Sequence, residues 1–166
     1  MYSDKFNKAF EYVMYFEGGY VNDPHDLGGE TKYGISKRSY PHLDIKHLTR
    51  EQAKKIYYCD FWLKGKFDQI TDENVAIKCF DLSVNIGLSV CARILQRALR
   101  ATNQNVVEDG IVGNETMSAV NKTDATDLLA ALKSEAAGYY RLIAHNNSTQ
   151  RRFLQGWLNR AYADVN

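Results

Sequence analysis

Phe16-Glu17-Gly18-Gly19-Tyr20-Val21-Asn22-Asp23-Pro24-His25-Asp26-Leu27-Gly28-Gly29-Glu30-Thr31-Lys32-Tyr33-Gly34-Ile35-Ser36 is the stretch on which the chain turns. An apolar helical stripe ends at a carboxylate, two glycines follow, and a compact loop rich in Gly, Asp and aromatic residues comes next. Upstream, Phe6, Ala9, Phe10, Val13 and Phe16 fall at helical spacing. Ser3 is placed to cap that helix, and Asp4 sits in its first turn, where negative charge suits the helix dipole. Glu17 stands four positions after Val13 and seven after Phe10, on the same buried face. Gly18 and Gly19 are expected to supply the left-handed stop that ends the helix. Burial and the negative end of the dipole both favour the protonated form of such a carboxyl, which is the form a general acid needs. The alternative for Glu17 is a helix-end side chain facing water.

Asp23-Pro24 and Leu27-Gly28-Gly29 are turn chemistry, and Tyr20-Val21 and Lys32-Tyr33-Gly34-Ile35 are the nearby β-leaning runs. A small irregular hairpin is therefore expected beside the end of the Glu17 helix. It would carry Asp26 and Thr31 toward Glu17. One acid for a glycosidic oxygen, with a second polar group or carboxylate that holds a water, is the arrangement that glycoside hydrolysis requires. Asp23 before Pro24 reads as an Asx-turn. For Asp26 the Asx-turn and the catalytic reading stay open. A loop-borne Asp26 facing a helix-end acid should leave room for a water, the geometry of single displacement with inversion.

The 166 residues suit one domain, or one domain with a small appendage. A formal net charge of +1 argues against a nucleic-acid partner and against strong basic attraction to a cell envelope. No run approaches transmembrane length, so no stable membrane insertion is expected. Met1 to Phe16 is charged and amphipathic without the apolar core of a secretory signal, and cytoplasmic residence is expected. Cys59, Cys79 and Cys91 each sit in an apolar helical context and read as buried thiols. The four histidines are scattered, so neither metal nor cofactor is expected.

Further along, Ser36 is placed to cap a short helix at Lys37–Tyr40 that Pro41 ends. Thr49-Arg50-Glu51-Gln52 is a capping box. Its helix carries Ala53, Ile56, Tyr57 and Phe61 on one face and ends near Gly65. Core packing suits Tyr57 and Phe61, while Trp62, a residue seldom fully buried, suits a cleft edge where rings stack on sugars. Thr71 or Asp72 caps the next helix, which is apolar through Val75, Ala76, Cys79, Phe80 and Val84 and reads as the hub of the fold. Asp81 and Asn85, four apart on that helix, need polar partners. A structural role suits Asp81 and a cleft role Asn85. Ser89, Asn114 or Thr116, Asp124 and Thr149 open the remaining helices, the last with Phe153, Trp157 and Ala161 at helical spacing.

The pattern Glu17, eight residues, Asp26, four residues, Thr31 resembles the Glu/Asp/Thr triad of phage lysozymes, in which five residues precede the Thr. The string from Glu17-Gly18-Gly19-Tyr20 to Gly34-Ile35-Ser36 is closer still to glycoside hydrolase family 108, the N-acetylmuramidases of prophages and bacteria, some of them labelled secretion activators. Trp62 resembles the Trp of that family's second motif, Asp81-Leu82-Ser83-Val84-Asn85-Ile86-Gly87 its Asp-x-x-x-Asn-x-Gly segment, and Arg151 to Arg160 its C-terminal motif. Leu95-Gln96, Asp109-Gly110-Ile111-Val112-Gly113 and Thr116 are similar to a small peptidoglycan-binding motif that often follows this catalytic domain.

The resemblance implies an all-α, mainly helical, lysozyme-like fold with one small irregular β-hairpin near the active site. Residues 1–88 would form the catalytic part and 89–166 a helical peptidoglycan-binding-like part packed against it. Glu17 would be the catalytic acid, with Asp26 and Thr31 positioning or activating water, and Tyr20, Tyr33, Trp62 and Asn85 binding substrate. The implied reaction is hydrolysis of the β-1,4 bond between N-acetylmuramic acid and N-acetylglucosamine in peptidoglycan glycan strands. The setting implied is a monomeric endolysin that waits in the cytoplasm and leaves through a separate holin. Two alternatives stand: a lytic transglycosylase releasing 1,6-anhydro sugars, and a non-catalytic wall-binding or secretion-accessory protein.

Overall fold

Helix α1 (Asp4–Phe16) begins as its sequence dictates, with the Ser3 hydroxyl accepting the Phe6 amide at 3.3 Å and Asp4 in the first turn. The computed structural model describes residues 1–22 and 29–165. Phe6, Ala9, Phe10 and Val13 of α1 are buried. The helix stops at Glu17, which is extended (φ −88°, ψ 134°) while its amide still donates to the Val13 carbonyl at 3.2 Å. The left-handed stop expected at Gly18-Gly19 is therefore not used. Neither glycine has positive φ, because Glu17 itself has already turned the chain out of the helix.

Strands β1 (Val21–Asn22), β2 (Glu30–Lys32) and β3 (Ile35–Ser36) form an antiparallel sheet in that order, one strand more than a simple hairpin. Val21 pairs with Thr31, and Lys32 pairs with Ile35 across the turn Tyr33-Gly34. Both turn residues have positive φ, 52° and 74°, as a two-residue type I′ hairpin turn requires. The helix expected at Lys37–Tyr40 is only a turn, with the Ser36 hydroxyl accepting the Ser39 amide at 3.2 Å. Ser36 is committed to β3, and Pro41 keeps Tyr40 out of the helical region.

Helix α2 (Arg50–Tyr57) starts on the capping box, with both reciprocal bonds present. It passes directly into a π-helical turn, Tyr58–Trp62. Tyr57 and Trp62 are five positions apart; in an α-helix they would lie on different faces, whereas the i→i+5 spacing of a π turn brings them to the same side. Both are buried, at 2% and 1% exposure. This corrects the placement of Trp62: its ring packs against Phe6, Phe67 and Phe80 at centroid distances of 5.4, 5.9 and 5.4 Å, leaving no face for a sugar. Cys59, on the same turn, is exposed, while Cys79 and Cys91 are buried as expected.

Helix α3 (Glu73–Ile86), capped by Asp72, is the hub, buried without a break from Val75 to Ser83. It packs against α1, against α4 (Leu88–Ala101) and against α6 (Ala125–Asn146). Between them comes α5 (Asn114–Lys122); a 3-10 turn at Ser148–Phe153 then leads into α7 (Leu154–Tyr162), which packs on α6. One core runs through both halves of the chain, from Phe6 of α1 to Leu128 and Tyr140 of α6 and Ala161 of α7. No described helix is long and apolar enough to cross a membrane.

Truncating the buried indole tests its place in the core. Trp62→Ala should cost about 3–5 kcal/mol in chemical denaturation, the usual loss for a fully buried Trp. A ring at a cleft edge would cost far less.

Candidate active site

The end of α1 leaves the Glu17 side chain pointing into a notch between the small sheet, α2 and α7. That side chain is 18% exposed. One oxygen, Oε1, accepts from Arg160 Nη1 at 3.1 Å. The other faces Gly34 and Tyr57. A Cβ placed on Gly34 would lie 2.5 Å from both Glu17 Oε2 and Tyr57 Oη, so only glycine fits there. The Tyr57 hydroxyl donates to the Tyr33 carbonyl at 2.8 Å, which ties the β2–β3 turn to α2 beside the carboxyl. Burial, and after it the Glu17 carboxylate, pushes the Tyr57 hydroxyl well above the ordinary phenol range, so it stays protonated and serves as a donor.

Arg160 arrives from the last turn of α7. Its Nε donates to Asp81 Oδ1 at 2.8 Å, and its guanidinium carbon stands 5.2 Å from the centre of the Phe16 ring. The Asp81 side chain is 1% exposed. Burial raises its affinity for a proton, and Arg160 and Lys78 pull the other way. Lys78, fully buried on α3, donates to the carbonyls of Arg160 at 2.8 Å and Ala163 at 3.2 Å, pinning the end of α7. Burial brings the Lys78 ammonium down to about 8, against the attraction of Asp81.

The residues expected at a site divide by where they lie. Glu17 lies at the notch, and Tyr33 borders it through its carbonyl and through Gly34. Thr31 is half-buried on β2, its hydroxyl donating to the Gly29 carbonyl at 3.5 Å; among the described residues no hydrogen bond joins it to Glu17. Tyr20 is 39% exposed before β1 and donates to Glu30 Oε1 at 2.8 Å. Asn85 is half-buried and donates to the Tyr140 hydroxyl, one helical turn beyond the Asp81–Arg160 pair. Trp62 lies in the core. Asp26 lies outside the described residues. Groups of His, Cys, Asp and Glu able to hold a metal are absent among the described residues.

Two neighbours of Glu17 escaped the sequence reading. Tyr57 was read as core, and its ring is indeed core, but its hydroxyl reaches the notch. Arg160 was within a motif yet had no role. The available signal was Asp81, a carboxylate on an apolar helix that had to find a cation. Which of the 21 Lys and Arg residues would answer it, across 79 positions, no local pattern states.

The Glu17 carboxyl is thus fixed at a helix end beside a small antiparallel sheet, in a mainly helical fold. Residues 10–87 match the family described as Glycosyl hydrolase 108, and residues 90–162 match a Predicted Peptidoglycan domain. By these matches the first half of the chain is a glycoside hydrolase family 108 region, and the second half is similar to a peptidoglycan-binding region. Among solved structures it is similar to SagA of Brucella abortus, with 25% identity and a TM-score of 0.72 over 96% of this chain and 95% of that one. No curated protein matches the sequence.

Two measurements check the geometry of the notch. Gly34→Ala places a methyl group against the carboxyl at φ +74° and should destabilise by more than about 1 kcal/mol, whereas Gly18→Ala, with open space around it, should stay within about 0.5 kcal/mol. Lys78 has a pH signature. Between about 8 and its ordinary 10.5 the unfolded chain holds a proton that the folded chain has released, so the Lys78 contribution to stability rises with pH across that window. The stability difference between wild type and Lys78→Met should therefore shift in favour of wild type from pH 8 to 10.5 and level off above it, as read by urea unfolding at each pH.

Proposed function

We propose that the chain is a peptidoglycan N-acetylmuramidase in which Glu17 is the general acid at the glycosidic oxygen. The reading rests on one observation above all: within the family 108 region, the Glu17 carboxyl is held at a helix end by Arg160 on one oxygen and walled by Gly34 and Tyr57 at the other. A positioned carboxyl is what protonation of a leaving oxygen demands. Thr31, on the strand that leads into the Tyr33-Gly34 turn, and Asp26 are assigned to the attacking water. Tyr20, Tyr33 and Asn85 are assigned to the glycan. The proposed division at 88/89 is supported by the two matched regions, which end at residue 87 and begin at residue 90. The second part would hold glycan strands while the first cuts them. The proposed setting is a monomeric endolysin, cytoplasmic until a holin releases it.

A second reading, wall binding without hydrolysis, is favoured by the match of residues 90–162 to a Predicted Peptidoglycan domain.

Purified protein on isolated sacculi, with mass analysis of the products, decides between them. Hydrolysis should give reducing muropeptides; 1,6-anhydro ends would mark a transglycosylase, and undigested sacculi with bound protein would mark the binding reading. Glu17→Gln should fold normally and lose about 10²–10⁴-fold in turnover, the usual worth of general acid catalysis. Near-wild-type turnover in that variant would remove Glu17 from the reaction.

A further inference from the structure

We propose that Arg160 is the positioning residue of the Glu17 carboxyl, so that the second half of the chain completes the hydrolytic centre of the first. The inference rests on the reading of Glu17 as the acid.

Glu17 is the residue at which α1 ends, and its long side chain has no helical neighbour beyond it to hold it. Arg160 supplies the missing constraint. Its Nη1 bonds Glu17 at 3.1 Å and its Nε bonds Asp81 at 2.8 Å, with the arginine side chain only 13% exposed. The arginine is itself fixed from several directions. Asp81 belongs to the buried hub helix, Phe16 lies beside the guanidinium, and Lys78 grips the backbone carbonyls of Arg160 and Ala163. A planar guanidinium reaches two carboxyls at once; the point charge of a lysine does not.

Among the described residues, the groups facing Glu17 are Arg160 from α7 and Tyr57 from α2; Asp81 and Lys78 from α3 act on it through the arginine. Asp81 shares the guanidinium charge, so Glu17 does not hold it alone. Orientation of a reacting group is worth large factors, and a displacement of 1 Å costs about 10²-fold. Neither matched region contains both residues: Glu17 falls in the first and Arg160 in the second. What looks like a catalytic part followed by a binding part thus shares one site.

The test uses the full chain. Arg160→Met alone leaves Asp81 buried without its partner and invites unfolding. Asp81→Asn combined with Arg160→Met removes the buried Asp81–Arg160 pair together and should melt closer to wild type than Arg160→Met alone. That double variant should lose about 10²-fold in kcat on sacculi with KM nearly unchanged. Arg160→Lys should lose less kcat than the double variant, with KM again nearly unchanged. A folded double variant with wild-type kcat would overturn the proposal and leave Arg160 a strut. Glu17→Gln, assayed alongside, keeps the two questions apart. Activity surviving there sinks the acid assignment, whereas an inactive Glu17→Gln beside an unaltered double variant sinks the Arg160 proposal alone.

Discussion

A guanidinium buried between two carboxylates joins the first helix, the hub helix and the last helix of this protein. Arg160 leaves water only because Asp81 and Glu17 meet it, and each of those carboxylates is in turn costly to bury without it. Desolvating such groups costs several kcal/mol per ion, so the network adds little to net stability even when complete. What it does impose is an all-or-none geometry. Breaking one member strands the others, a loss of about 3–5 kcal/mol, and slightly wrong packings of α7 are thereby excluded. Lys78 extends the same logic to the backbone, holding the carbonyls at the end of α7 from a fully buried position on α3.

Around this ionic seam the apolar packing is conventional in kind and dense in aromatics. Phe6, Phe10, Tyr57, Trp62, Phe67 and Phe80 meet edge to face or tilted, with centroids 5.4 to 6.2 Å apart, the geometry that ring quadrupoles favour. The π turn after α2 makes the cluster close, since it brings Tyr57 and Trp62 to one side. It leaves a cost behind: the Trp62 indole N–H is buried without a hydrogen-bond partner among the described residues. Tyr57 shows why the aromatic cluster and the site are one structure. Its ring is core, and its hydroxyl clamps the β2–β3 turn against Glu17.

That turn is the third element of the design. Tyr33 and Gly34 both adopt positive φ, and the absence of a side chain at Gly34 is what lets backbone, phenol and carboxyl converge. The glycines that drew attention in the sequence, Gly18 and Gly19, sit in open space, and the one that matters comes sixteen residues later. A glycine's meaning depends on what approaches it, and that is a tertiary fact.

Much was legible in the chain because it depends on near neighbours. The Ser3, Thr49, Asp72 and Asp124 caps, the buried stripe of α1 and the apolar hub α3 follow from local hydrogen bonding and periodicity, and these elements are present. The motif strings around Glu17, Asp81 and Arg160 were readable, and so was the family they belong to. Three things could not be read locally. The helix stop fell on Glu17 rather than on the glycines, because the chain had a sheet to enter. Trp62 went inward, because a π turn changed the face on which it lies. Arg160 found Asp81 and Glu17 because three helices distant in sequence converge there. Local order came from interactions within a few residues of one another. The surroundings of the carboxyl came from groups brought together only when the core closed, since no short-range pattern encodes which buried charge will meet which.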